Sequence, residues 1–185
     1  MASKINELRT KFQEMKNFLA LVETDSGNYT DISIDVLWYF SNDLNIPGIY
    51  VITNKPYKTV KQQMEKSGLN PNKMIFIDIV TKMAKGDTEP KSNCFFVESP
   101  KNLVELGTAI DMALNAIKYE DKFVFFDSLT TLLIYNHPDE LVKFFHLLGL
   151  KIRNYNINGV ILSIEKKDNI ITERISQFCD IVLNF

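Results

Sequence analysis

Seven short apolar runs, spaced along a chain of 185 residues, constrain this sequence more than any other feature. They are FLALV (18–22), GIYVIT (48–53), MIFIDIV (74–80), CFFVES (94–99), KFVFFD (122–127), GVILSIE (159–165) and DIVLNF (180–185). A run such as FLALV is apolar throughout rather than at alternate positions, as a strand covered on both faces should be. Between the runs lie segments of helical periodicity. Residues 3–17 space Ile5, Leu8, Phe12 and Met15 along one stripe, and 30–45 do the same with Ile32, Val36, Tyr39 and Phe40. Further helices are predicted from Pro56 to Ser67-Gly68, from Pro100 to about Tyr119, from His137 to Tyr155, and briefly around Glu173–Gln177. Apolar strands alternating with amphipathic helices predict an α/β fold, a mainly parallel sheet with helices on both faces. The polar stretch 81–92, TKMAKGDTEPKS, is expected to be a loop. No composition break marks a linker, so residues 1–185 are read as one domain.

Composition narrows the function classes. An apolar fraction of 45% and a charged fraction of 24% are ordinary for a globular chain. A net charge of −2 gives no electrostatic reason to expect a nucleic-acid partner. Cys94 and Cys179 match no metal spacing and are expected as buried, reduced thiols, with no metal site. No run approaches the roughly 18 apolar residues of a membrane span, so no membrane partner is expected. The polar start MASKINELRTKFQEMKN does not read as a secretory signal, and the expected compartment is the cytoplasm.

The first strand runs into the loop ETDSGNYT (23–30) and then a helix, the frame in which proteins bind phosphates. A phosphate loop reads G-x-x-x-x-G-K-[ST]. Its glycines let backbone N–H groups face the phosphates, its lysine neutralises them, and its hydroxyl holds magnesium. On that frame Glu23 and Asn28 fall at the glycines, Tyr29 at the lysine and Thr30 at the hydroxyl, so only Thr30 fits. Glu23, Asp25 and Asp31 add negative charge. At roughly 5 Å and an effective dielectric near 20, each acid–phosphate pair costs about 3 kcal/mol before screening. A helix N-terminus returns only about 0.3–1 kcal/mol, up to about 2 when partly buried. Phosphate binding in the usual pose should fail, and the acids with Thr30 are expected to cap the helix instead. The open alternative is a non-standard nucleotide or cation site built from the same acids.

The segment KFVFFDSLTTLLIYNHPDELVKFFHLLGLKIRNYNINGVILSIE resembles the second half of a RecA-superfamily core domain, in particular the KaiC-like ATPases of archaea and bacteria. GIYVITNKPYKTVKQQMEKSGLNPNKMIFID is similar to the family's second strand, helix and third strand, and ERISQFCDIVLNF to its closing helix, aspartate and strand. The resemblance covers most of residues 18–185 and implies a three-layer RecA-like, P-loop NTPase-type fold. It implies that Asp127 stands at the magnesium-binding aspartate that ends a buried strand, followed by Ser128. Each has a plainer alternative as a polar group capping the next turn. The family's catalytic glutamates follow the second strand in a pattern like Y-V-x-x-E-E. Here YVITNK puts Asn54 and Lys55 there, and Asn54 cannot take a proton from water.

The remaining candidates read as structural. His137 and His146 lie in no catalytic frame, Glu165, Lys166 and Lys167 read as a solvated turn, and Lys55, Lys58, Lys61 and Lys66 as a solvated face. The predicted helix at 139–155 carries Leu141, Phe144, Phe145, Leu148 and Ile152 as a core stripe, with Val142, Leu147 and Leu150 widening its apolar surface. Such a helix is either deeply buried or meets a partner.

Together these features favour a catalytically inactive KaiC/RecA-like domain, with no cofactor, acting as a protein-interaction or regulatory module in signal transduction. Its expected partner is a protein or a second copy, with the helix at 139–155 as the candidate contact. Thr30, Asp127 and Ser128 are its vestigial nucleotide-binding positions, and no residue is assigned to catalysis. One rival is a nucleotide sensor or weak ATPase holding Mg-ATP through Thr30 and Asp127. The other is a recombinase-like accessory protein on DNA.

Overall fold

A computed structural model describes residues 2–86, 88–164 and 170–185, with side chains from Asn6 onward. The seven apolar runs form seven strands: β1 (Leu19–Thr24), β2 (Gly48–Ile52), β3 (Met74–Asp78), β4 (Cys94–Phe96), β5 (Phe123–Asp127), β6 (Asn158–Ile164) and β7 (Ile181–Asn184). They make one sheet in the order β4-β3-β2-β5-β6-β1-β7. Every pairing between these strands is parallel. The helices are α1 (Ala2–Gln13), α2 (Tyr29–Trp38), α3 (Tyr57–Lys66), α4 (Thr81–Lys85), α5 (Leu103–Ala116), α6 (Leu129–Tyr135), α7 (Pro138–Tyr155) and α8 (Ile170–Ser176).

Alternate residues of β1 to β6 feed two separate apolar layers, while β7 at the sheet edge feeds one and exposes Val182. Ala20, Val22, Tyr50, Ile52, Phe123 and Phe125 point toward α1, α2 and α3, against Leu8, Phe12, Val36 and Val60. Leu19, Leu21, Ile49, Val51, Val124 and Phe126 point the other way, against Leu106, Leu132, Phe145 and Ile175 from α5, α6, α7 and α8. Burial on both sides is why the strands need no polar alternation. This is the three-layer RecA-like architecture the sequence implies.

Close approach is built in at two glycines. A Cβ on Gly159 would run into Ile152 of α7 and lie 2.9 Å from Leu19, and one on Gly48 would run into the Phe123 ring. Only a residue without a side chain lets α7 sit this close to β6.

Several boundaries differ from expectation. The first helix stops at Gln13 rather than 17, and Asn17, at φ 55°, turns the chain into β1. The helix expected over 30–45 becomes a wider π turn after Trp38, over Tyr39–Asp43. The helix expected from Pro100 starts at Leu103, where the Asn102 side chain accepts the Glu105 N–H at 3.0 Å. The expected loop at 81–92 begins with α4, whose first N–H groups are held by Asp78 at the end of β3. Between β5 and the helix predicted from His137, where no element is expected, the chain forms α6. Glu165, Lys166 and Lys167 lie outside the described residues. His137 caps α7 through Nδ1, 3.4 Å from the Asp139 N–H, and His146 stacks on Phe178. Both cysteines are free; burial holds the Cys94 thiol well above its ordinary range and pushes Cys179 up to about 12.

Candidate functional site

The C-terminal ends of parallel strands are where an open α/β sheet places its ligands. Here the ends of β1, β2 and β5 meet α2, and Asp127 lies at the centre. Its residue register pairs it with Ile52 of β2 and Leu162 of β6. The side chain is 4% exposed, so both carboxylate oxygens must be satisfied by protein.

Three hydroxyls do this. Tyr29, the first residue of α2, donates to Oδ1 through a short hydrogen bond. Tyr50 of β2 donates to Oδ2 at 2.6 Å, and Ser33, one turn along α2 from Tyr29, lies 3.4 Å from the same oxygen. Asn54, just past β2, donates from Nδ2 to the Tyr29 hydroxyl at 2.5 Å. Thus three positions singled out in the sequence are joined in one hydrogen-bonded chain: Asn54 to Tyr29 to Asp127.

Burial pushes the Asp127 carboxyl above the ordinary carboxylate range, against the hydrogen bonds from Tyr29 and Tyr50, which favour its charged form. Burial and the neighbouring Asp127 charge hold both tyrosine hydroxyls far above their ordinary range, so both remain donors. The backbone beneath is fixed by Thr53. Its hydroxyl accepts the Ser128 N–H at 2.6 Å and lies 2.8 and 3.0 Å from the Asp127 and Ser128 carbonyl oxygens. The Asp127–Ser128 peptide bond is cis. Ser128 Oγ is buried and has no hydrogen-bond partner among the described residues.

The loop of β1–α2 is closed on itself. Asp25 Oδ1 accepts the N–H groups of Gly27 at 2.8 Å and Asn28 at 2.9 Å, and Oδ2 accepts Asn28 Nδ2 at 2.7 Å. A carboxylate of the chain itself therefore occupies the loop amides that a phosphate would need. The expected capping is thus realised differently. Asn28 is the N-cap without a side-chain cap bond, Asp25 organises the turn before it, and Asp31 sits in the first helical turn.

Of the positions singled out in the sequence, the structure brings Asp127 and Ser128 together with Tyr29. Thr30 is exposed one residue further on and is not among the donors to Asp127. Sequence reasoning missed Tyr50, Ser33 and Thr53. Their one signal was a hydroxyl in an otherwise apolar strand or buried helix face.

Both Asp127 oxygens accept from hydroxyls, and the loop amides of Gly27 and Asn28 hold Asp25. Among the described residues, no three His, Cys, Asp or Glu side chains group closely enough to hold a metal ion. None of the described helices is long and apolar enough to cross a membrane.

Comparison with known proteins agrees with the fold. The model of DUF7504, a family of unknown function, matches residues 40–185. No curated protein matches the chain. Among solved structures, a KaiC-like protein from the hyperthermophilic archaeon Pyrococcus horikoshii OT3 superposes with a TM-score of 0.64 at 11% identity, covering 91% of this chain and 72% of that one. At that identity the likeness speaks for the fold alone.

Proposed function

Because the chain belongs to DUF7504, a family of unknown function, its role has to come from its own site, and we propose that it is a catalytically inactive KaiC/RecA-like module that acts through protein contacts, in regulation or signal transduction. The carrying observation is the Tyr29 hydroxyl bonded to Asp127. A phosphate loop that has lost its lysine could still leave a cavity for nucleotide. This one is filled from within, and by groups that satisfy one another. Releasing Asp127 for magnesium would strand the hydroxyls of Tyr29 and Tyr50, and buried unpaired donors cost about 1–3 kcal/mol each. Releasing the loop amides would displace Asp25, which is bound intramolecularly and so needs no ligand concentration to compete.

Support for the missing chemistry comes also from Asn54. In place of a general base it is an amide donor to Tyr29, so its side chain contributes to the plug rather than to activation of water. The partner in this reading is a protein or a second copy of the chain.

Calorimetric titration with Mg-ATP and Mg-ADP to millimolar ligand tests the proposal. The expected result is no heat of binding. Micromolar binding would overturn it and make the protein a nucleotide sensor. Salt-sensitive binding of single-stranded DNA would instead support the accessory-protein alternative.

A further inference from the structure

The face opposite α1–α3 carries a groove of about 530 Å³ between α5 and α7. Leu103, Val104, Phe144, Leu147 and Leu148 give it an apolar lining, and Lys151 of α7 bridges its walls to Asp111 of α5 at 2.5 Å. Leu148 at its floor belongs to the core and Phe144 leans on Phe126 and Phe145, but Val104 is 82% and Leu147 58% exposed, and Leu150 and Met112 are exposed on the same two helices. An apolar surface of this kind marks a contact.

The pattern along α7 says what covers it. The residues of α7 that line the groove include Glu140, Phe144, Leu147 and Lys151, spaced by four, three and four positions. This is one stripe of a helix, about 16 Å long. Read in the opposite direction it is its own complement. Laid antiparallel on a second copy, Glu140 meets Lys151 of the other chain, Phe144 meets Leu147, Leu147 meets Phe144, and Lys151 meets Glu140. Apolar contacts fill the centre and an opposite-charge pair closes each end. A parallel arrangement would put like charges together. Lys151 has three donors, so its bond to Asp111 leaves it able to donate to a second carboxylate.

We propose that a second copy of this chain docks on the α5–α7 groove through an antiparallel, two-fold α7–α7 contact centred on Phe144 and Leu147. The arrangement is isologous, as most homodimer interfaces are. It deepens the interaction-module reading and rests on it for the expectation that a protein partner exists.

Sedimentation of the full chain, with thermal melts to verify folding, tests the contact. Wild type should run at twice the monomer mass. Leu147→Glu, at an exposed position, should run as monomer with its melt unchanged. Glu140→Lys alone should be monomeric, because it sets lysine against Lys151 of the other copy. Asp111→Lys/Lys151→Glu, which keeps the bridge between α5 and α7 within the chain, should also be monomeric. A one-to-one mixture of these last two should restore the dimer. A monomeric wild type, a dimer indifferent to Leu147→Glu, or a mixture that stays monomeric would each overturn the proposal. Nucleotide titration is read separately. A monomer that ignores Mg-ATP removes the dimer and leaves the inactive module standing; a dimer that binds Mg-ATP does the reverse.

Discussion

Asp127 is held under opposed demands. Burial favours its neutral form, and the hydroxyls of Tyr29, Tyr50 and Ser33 favour the charged one. Removing a donor should therefore be costly. Tyr29→Phe and Tyr50→Phe should each lower stability by about 1–3 kcal/mol in urea denaturation. The net upward shift of Asp127 also fixes a sign. In the folded state the carboxyl binds its proton more tightly than in the unfolded chain, where the pKa is about 3.9. As pH rises from that value through the raised one, the unfolded state ionises first and stability falls. Asp127→Asn cannot ionise. The stability of wild type relative to Asp127→Asn should thus decline as pH climbs above the unfolded value of about 3.9, and level off once the raised folded value is passed. Matched urea titrations from pH 4 to pH 7 would reveal a flat difference if the carboxyl were not shifted.

At the scale of elements, the junctions hold more of the specificity than the elements do. Asp78 ends β3 fully buried and accepts the N–H groups of Tyr57, at 2.7 Å, and of Val80 and Thr81, at 2.9 and 2.8 Å, so one carboxylate starts both α3 and α4. Asp78→Ala should cost at least about 2 kcal/mol, the upper range for a single lost cap, because two helix starts lose their acceptor together. Gly159→Ala should cost about 1–3 kcal/mol by forcing α7 off β6. Equilibrium unfolding measures both.

The strands were legible in the sequence because burial on both faces writes an apolar run for each. The long helices were legible because each buries one stripe. The short ones were not: α4 buries no residue, and α6 has only two turns in which to show a stripe. The site was half legible. A missing lysine and glutamate can be read from a motif frame. That Tyr29 reaches Asp127 cannot, because the contact spans 98 positions and joins the start of α2 to the end of β5. Nor does the loop's acidity reveal that Asp25 folds back on its own amides while Thr30 faces solvent.

For the whole molecule, ligand linkage gives a sharp test. A ligand present at 100 times its Kd stabilises a protein by about 2.7 kcal/mol. Millimolar Mg-ATP should leave the melting temperature of this chain unchanged, which would set its Kd no tighter than the millimolar range. The sheet order has a different consequence. β1 lies between β6 and β7, and its register ties Leu21 to Ile161 and to Val182. A strand near the start of the chain therefore has no neighbour until the chain has been made past residue 158. Meanwhile β2, β3, β4 and β5 can assemble with their helices. Because closing such long loops precedes any contact that rewards it, β1, and β7 which pairs on it, are expected to join the sheet late. During synthesis the apolar segment 18–22 waits exposed, the stretch of this protein that a chaperone would find first.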